Sequence, residues 1–360
     1  MRKYKNKVVF IGDSRKMKGG VSSVMKILET SSLWGKYHCK WIETQINSPN
    51  KFHKILYLFQ GIIKGIFIIP QFNIVHFQTT PGKGMKTLFP LFLYTLLWRK
   101  KIIVQLHMGN QIESHINDLS FRFWVQYSDQ ILFLGHTWEE KIKPYLPKQI
   151  KTDFIYNPVH TQIKQSNHEK YFLYTAYFNE NKGCDIFLKA FAKITSNYPD
   201  WKLIMCGVGD IKLIKKWIKE CKLEGKVEMP GWVEGEKKHL LFTHAGAYCM
   251  TSYQEGLPMS VLEAMSYGVP VISTPVGCLP EILQHEHSVL FFNFGNSEEL
   301  AYCMERIIND NNLRKQLSDE EYNITQNYFS VEKITQKLEY IPVGGIKLIK
   351  DLCIKSCAYY

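Results

Sequence analysis

The 360-residue chain has no Cys-x-x-Cys pair, no Gly-x-Gly-x-x-Gly, no internal short repeat, no low-complexity tract and no unbroken apolar run of bilayer length. Each gap removes a class of protein. Nine cysteines, an odd number without paired spacing, exclude a zinc ribbon or a secreted disulfide framework; they fit reduced, buried thiols in a cytosolic protein. The missing dinucleotide fingerprint weakens a nicotinamide dehydrogenase. Two apolar stretches do occur, at 55–72 and 88–98. The first is broken by Gln60, Lys64 and Pro70 and the second spans only 11 residues, so neither is expected to cross a membrane. Both are expected to be core-facing helices on a parallel sheet, with an interfacial position for part of one as the alternative. The start, MRKYKNKVVFIGDS, has too little apolar sequence before Gly12 for a signal peptide and reads as a first β-strand.

What is present is a globular composition, 45% hydrophobic and 22% charged, over a length that suits two domains with cores of their own. Charge is divided unevenly. Residues 1–160 carry 23 Lys and Arg against 9 Asp and Glu, a balance of +14, whereas residues 161–360 carry 22 against 24. General solubility explains the sign of the excess but not its confinement to one half. An anionic partner for that half does: nucleic acid, an anionic membrane face or a phosphorylated acceptor. The half has no aromatic and basic stacking motif, which argues against nucleic acid.

Strands are expected at 7–11, 74–77, 102–106, 130–134, 152–155, 171–175, 201–206, 226–229, 247–250 and 269–272, with helical patterns between them. This alternation predicts an α/β chain of two Rossmann-like, doubly wound domains facing across a cleft. The first spans 1–160 and the second 161–325, with the boundary near Asn157-Pro158. Helices are expected at 320–328 and 331–340, ahead of a tail at 341–360 in which Ile346, Leu348, Ile349, Leu352 and Ile354 alternate with lysines.

The densest chemistry lies in TSYQEGLPMSVLEAMSYGVPVIST, residues 251–274. A short strand meets a Gly-Leu-Pro turn, then a helix over 259–267, then a second strand, which makes a βαβ unit. Pro258 suits the first helical position, and free N–H groups of Met259, Ser260 and Val261 would form an anion site there. Glu255 and Glu263, with seven residues between them, flank that site. Glutamates at helix starts are commonly solvated surface. Glu263, however, is surrounded by Val261, Leu262, Ala264 and Met265, and an enclosed carboxylate needs a partner. Hydroxyls on either side of a phosphate are the layout of a sugar nucleotide. Elsewhere, Gly19 and Gly20 open a helix after the first strand, His107 follows the strand at 102–106, Lys182-Gly183 precedes a helix at 185–198, and Gly207-Val208-Gly209 ends another strand.

Taken together, the paired domains, Gly19-Gly20, His107, Asn157-Pro158-Val159, Lys182-Gly183, Gly207-x-Gly209 and above all Glu255-x7-Glu263 resemble the retaining GT-B glycosyltransferases of family 4. The resemblance covers roughly residues 5–340. It implies a GT-B fold whose last helix, within 326–340, crosses back to the first domain. It also implies a second domain that binds a nucleotide-sugar donor, UDP- or GDP-linked, and a first domain that binds the acceptor. Glu263 would hold the ribose, and Glu255 the donor sugar near the reaction centre. Backbone N–H groups of Gly256, Leu257 and Met259 would hold sugar and phosphate. Lys182, helped by Gly19 and Gly20, would neutralise the leaving diphosphate, and His107 would meet the transferred sugar. Gly207 and Gly209 would line the donor side. The chain has no Asp-x-Asp, so no metal or other cofactor is expected, and lysine with helix dipoles would stabilise the departing phosphates.

One departure stands out. Family members often carry an arginine five residues before the lysine, where this chain has Tyr177. Arg15, Lys16 or Lys18 would compensate, or Tyr177 would stack on a ring. The activity so implied is hexosyl transfer, with retention, in the assembly of a bacterial surface polysaccharide such as capsule, exopolysaccharide or O-antigen. The acceptor would be an oligosaccharide or a polyprenyl-phosphate-linked saccharide, and the enzyme cytoplasmic and peripheral at the inner membrane face through its basic first domain. Alternatives on the same scaffold are a sugar-nucleotide epimerase or a phosphorylase, and, from charge alone, a nucleic-acid-binding protein.

Overall fold

The structure, a computed structural model, describes residues 6–107, 109–164 and 168–341. Twelve strands form two six-stranded parallel sheets. The first holds β1 (Val8–Asp13), β2 (Lys40–Gln45), β3 (Ile74–Thr79), β4 (Lys101–Leu106), β5 (Gln130–Phe133) and β6 (Lys151–Phe154), in the order β2-β1-β3-β4-β5-β6. The second holds β7 (Tyr171–Phe178), β8 (Lys202–Gly209), β9 (Val227–Gly231), β10 (Ala247–Met250), β11 (Val271–Ser273) and β12 (Leu290–Phe291), in the order β12-β11-β10-β7-β8-β9. Central strands such as VVFIGD and IVHFQT are buried along almost their whole length, because helices cover both faces of a parallel sheet. The order reverses beside β1 and beside β7, and in such sheets the ligand crevice opens at the carboxyl ends of the strands there.

Several contacts fasten the two domains away from the cleft. Val159 bridges to Ser330, and its N–H donates to the Phe329 carbonyl at 2.8 Å. Helix Val331–Tyr340 lies against the first domain, where Lys36 Nζ reaches Glu339 at 2.7 Å and Lys337 Nζ lies 3.5 Å from Asp153. It is entered through a π-turn at Thr325–Phe329 that continues helix Asn311–Ile324, so the helix expected at 320–328 is the tail of a longer one. Finally, Glu281 of the second domain accepts the N–H groups of His136 and Thr137 at 3.0 and 2.7 Å and the Tyr156 hydroxyl at 2.9 Å. A carboxylate on the start of helix His136–Ile142 is favourably placed against its dipole.

One expectation fails. Helix Lys51–Ile68, which carries most of the first apolar stretch, is not core-facing: only Gly61 and Gly65 are buried. A Cβ on Gly61 would sit 2.5 Å from the Glu43 carbonyl oxygen, so the helix packs on β2 through a glycine seam and turns its large side chains outward. Helix Lys83–Leu97 behaves as expected and buries Met85, Leu88, Leu91 and Phe92. The residues expected to form the tail, including Ile346, Leu348, Ile349, Leu352 and Ile354, lie outside the described residues.

Candidate active site

A cavity of about 340 Å³ opens between the two sheets, within the range of small-ligand sites. Ten of the twelve residues singled out from sequence line it: Glu255, Glu263, Gly256, Leu257, Met259, Lys182 and Tyr177 from the second domain, and Gly19, Gly20 and His107 from the first. Gly207 and Gly209 are not among its lining residues. They close the end of β8, where a Cβ on Gly207 would lie 2.0 Å from the Ala176 carbonyl oxygen and Gly209 adopts φ +124°; both are small so that β7 and β8 can approach.

The Gly-Leu-Pro turn is held from both sides. The Gly256 carbonyl accepts the Cys278 N–H at 2.9 Å, and the Leu257 carbonyl accepts the Asn157 side-chain amide at 3.0 Å. Gly256 also touches the other domain, since a Cβ there would come within 2.6 Å of the His107 carbonyl oxygen. Pro258 is the N-cap of helix Met259–Ser266 and accepts the Val261 and Leu262 N–H groups at 3.2 and 3.3 Å. The expected anion site therefore narrows to Met259 and Ser260, because Val261 spends its N–H on the tightened first turn. Across the cleft, helix Gly20–Glu29 begins at Gly19, also without a side-chain cap or an acidic residue in its first turn. A Cβ on Gly20 would stand 3.7 Å from Met259 Cγ, so two uncapped helix starts converge on one space, a favourable place for an anion.

Besides Lys18, charge in the cavity comes as two ion pairs. Lys182 Nζ meets Glu255 Oε1 at 2.5 Å and Lys238 Nζ meets Glu263 Oε1 at 2.6 Å, each among side chains about one-fifth to one-third exposed. Enclosed Glu263 thus has the partner that its surroundings require, but no local signal in the sequence identifies this cation. Lys238 sits in the polar helix Gly235–Thr243, beside a second lysine and 25 positions before its partner. Of the three cations considered as stand-ins for the missing arginine, only Lys18 lines the cavity, with Nζ 5.2 Å from the Trp232 ring centre. Arg15 is committed elsewhere, bonded to Glu29 and Glu43 and stacked 4.3 Å over Trp41. Lys16 is not among the lining residues.

His107 is buried, and its Nε2 bonds Gln78, whose amide donates to Gln105 at 2.9 Å and faces His76 at 3.2 Å. Burial pushes His107 down to about 4; burial, aided by His107 itself, pushes His76 down to about 3. His107 is therefore a neutral imidazole near pH 7, suited to hydrogen bonding with hydroxyls. Among the described residues no three His, Cys, Asp or Glu side chains are grouped to hold a metal ion.

Comparison with known proteins agrees with this geometry. Residues 158–324 match the family model of the glycosyl transferases group 1. N-acetyl-alpha-D-glucosaminyl L-malate synthase of Bacillus anthracis is 28% identical over 262 residues, 68% of either chain. An uncharacterized glycosyltransferase of Haemophilus influenzae is 27% identical over 204 residues, 56% of either chain. The chain spans about half the length of a Campylobacter jejuni alpha-1,4-N-acetyl-D-galactosaminyltransferase acting on an undecaprenol-linked saccharide, at 28% identity over 183 residues. Among solved structures, Anabaena HepE in complex with UDP-glucose superimposes with a TM-score of 0.73, 17% identity and coverage of 92% of this chain and 98% of that one. Sucrose-phosphate synthase of Thermosynechococcus elongatus gives 0.75 at 16% identity, covering 92% and 97%. The chain thus has the GT-B fold, and its residues 158–324 are similar to the group 1 glycosyl transferases.

Proposed function

We propose that the chain transfers a hexosyl group from a nucleotide-sugar donor to a saccharide acceptor, with retention of configuration and without metal. The observation that carries this reading is the cavity itself, where two carboxylates, three lysines and two uncapped helix starts meet between the domains. Lys182 and Lys238 each hold a carboxylate assigned to hydroxyls. A sugar nucleotide would exchange these partners: Lys182 and Lys238 turn to the diphosphate, while Glu255 and Glu263 accept the hydroxyls of sugar and ribose. The acceptor oxygen then bonds the anomeric carbon as the bond from that carbon to the diphosphate breaks. On the front-face route the acceptor proton passes to the departing phosphate oxygen. Lys182, Lys18 and the N–H groups of Gly20, Met259 and Ser260 would stabilise the charge that develops there, and neutral His107 would orient the transferred sugar.

UDP is the favoured nucleotide, since HepE binds UDP and UDP-glucose on the same fold. A lipid-linked acceptor and a role in surface polysaccharide assembly, at the cytoplasmic membrane face, fit the basic first domain and the acceptor named for the Campylobacter relative. The test is a screen of nucleotide sugars by thermal stabilisation and by turnover in EDTA, repeated with Glu255→Gln. The variant should keep nucleotide binding and lose transfer; unchanged turnover would remove Glu255 from the reaction centre, and loss of all activity in EDTA would refute the metal-free route.

A further inference from the structure

Helix Lys51–Ile68 is built inside out. Its inner side is a glycine seam, while Phe52, Ile55, Leu56, Phe59, Ile63, Ile66 and Phe67 project to the exterior. At 100° per residue these seven occupy one arc of about 120° opposite Gly61 and Gly65. No charged side chain interrupts that arc; Lys64 lies beyond its edge. Phe52 and Phe67 are 72% and 69% exposed. The face continues onto helix Lys83–Leu97, whose Tyr94 hydroxyl donates to the Ile66 carbonyl at 3.0 Å and whose Leu97 is 77% exposed. An apolar surface of this extent on a folded protein marks an interaction site.

The rim says what it meets. From Thr44 to Ile112 the sequence contains no Asp or Glu and eight Lys or Arg. Lys51 and Lys64 flank the face on its own helix, and Arg99 borders it where Lys100 Nζ ties the next segment to the Pro70 carbonyl at 2.8 Å. Apolar side chains whose charged neighbours along this segment are all cations match the acyl boundary and anionic headgroups of a bilayer. A second copy would bring cation against cation. The chain's own residues 342–360, with Lys347, Lys350 and Lys355 against Asp351, carry the same sign and are opposed in the same way. By length and composition the segment Lys51–Gln71 could cross a membrane. Its backbone-close seating on β2, however, and the 2.4 Å that would separate a Gly65 Cβ from Leu91 Cδ2, hold it along the domain surface.

We propose that this helix is an interfacial anchor that lies flat in the headgroup region of an anionic bilayer, with Phe52, Phe59, Ile63 and Phe67 in the acyl boundary. The proposal rests on the membrane-side reading of the acceptor above and gives it a place. Tyr57 on the same helix donates to Ser14 at 3.0 Å and Glu43 at 2.9 Å, and Ser14 follows β1 at the end of the sheet where the cleft opens. The anchor would set the acceptor side of the cleft against the lipid surface.

The test is flotation of the full chain with vesicles of phosphatidylcholine alone or with 30% phosphatidylglycerol. The wild type should bind the anionic vesicles, weaken several-fold in high salt, and be released by alkaline carbonate. Phe59→Glu/Ile63→Glu should lower partitioning by at least about tenfold, and Phe52→Glu/Phe67→Glu should do the same should the first pair misfold. Melting temperature and turnover of a water-soluble acceptor should stay unchanged. Wild-type affinity in both pairs would overturn insertion in favour of charge alone, and resistance to carbonate would overturn it in favour of a spanning helix. Loss of a dimer in the variants, with no vesicle binding by the wild type, would assign the face to a second copy. Soluble turnover without vesicle binding refutes only the anchor; vesicle binding without turnover or stabilisation by any nucleotide sugar refutes only the transferase.

Discussion

Gly256→Ala tests whether the two domains work in contact. An added Cβ would lie 2.6 Å from the His107 carbonyl oxygen and 2.9 Å from Leu134 Cδ1, both across the domain boundary, where ordinary contact begins at 3.4 Å. The opposing backbone must therefore give way by about 0.8 Å, which is 3.4 less 2.6. The loop cannot retreat instead, because the Gly256 carbonyl is held by the Cys278 N–H at 2.9 Å and a Cβ on Gly277 would already stand 2.0 Å from it. Overpacking at such a site costs about 1–3 kcal/mol, which at roughly 2–4 °C per kcal/mol is a fall of about 2–12 °C in melting temperature. A shift near 1 Å between reacting groups costs on the order of a hundredfold in rate, so donor turnover should fall by about ten- to a hundredfold. Nucleotide affinity should change less, because Lys238 and Glu263 lie on the second domain alone. Gly20→Ala is the control for stability, since its Cβ meets only Met259 Cγ at 3.7 Å; it should melt as the parent does. Gly256→Ala with turnover within twofold and an unchanged melting temperature would refute the reasoning, showing that the working enzyme does not hold His107 against the turn.

Lys238→Ala should weaken nucleotide binding by about tenfold, the worth of one charge-assisted contact. In a cycle with Glu263→Gln the two losses should be clearly non-additive; calorimetric titration with UDP that finds them additive would separate the pair. A second expectation concerns acid. His107 and His76 have folded values of about 4 and about 3, below the roughly 6.5 of an unfolded histidine, so the unfolded chain binds more protons between those limits and each histidine makes stability rise with pH there. Buried Asp13, raised to about 6, and Glu321, raised well above its ordinary value, bind protons in the folded state and act with the opposite sign. The histidine effect must therefore be read as a difference: relative to the parent, His107→Gln should gain about 1.4 kcal/mol per pH unit as pH falls from about 6.5 to about 4. Urea titrations that give a pH-independent difference would show that His107 is protonated alike in both states.

Much of this was legible because the signals were local. Ten of the strands and the βαβ unit around Glu255 declare themselves through apolar runs and Gly or Pro punctuation within a few residues. β2 and β12 do not: KWIETQ ends in polar side chains at a sheet edge, and β12 is two residues long. Residues 55–72 face outward against expectation because apolar content tells that a face exists and not which way it points. Direction was set by Gly61 and Gly65, whose value appears only against the backbone of β2 and Leu91. Lys238 was invisible for a related reason: the need of Glu263 for a cation could be read from its neighbours, but the helix that supplies it is fixed by the fold.

The paired charges in the cavity have one more consequence. Lys182 and Lys238 each already hold a carboxylate, so a passing anion meets Lys18, beside the Trp232 ring, without displacing a carboxylate but meets the other two only by breaking an ion pair. Inorganic phosphate or diphosphate could claim both lysines only by leaving Glu255 and Glu263 enclosed and stripped of their cations, which is costly for a carboxylate away from water. A molecule with a diphosphate flanked by hydroxyls on both sides satisfies all four groups together. On the proposed reading, the side chains that would hold the donor would also discriminate against simple phosphates at Lys182 and Lys238.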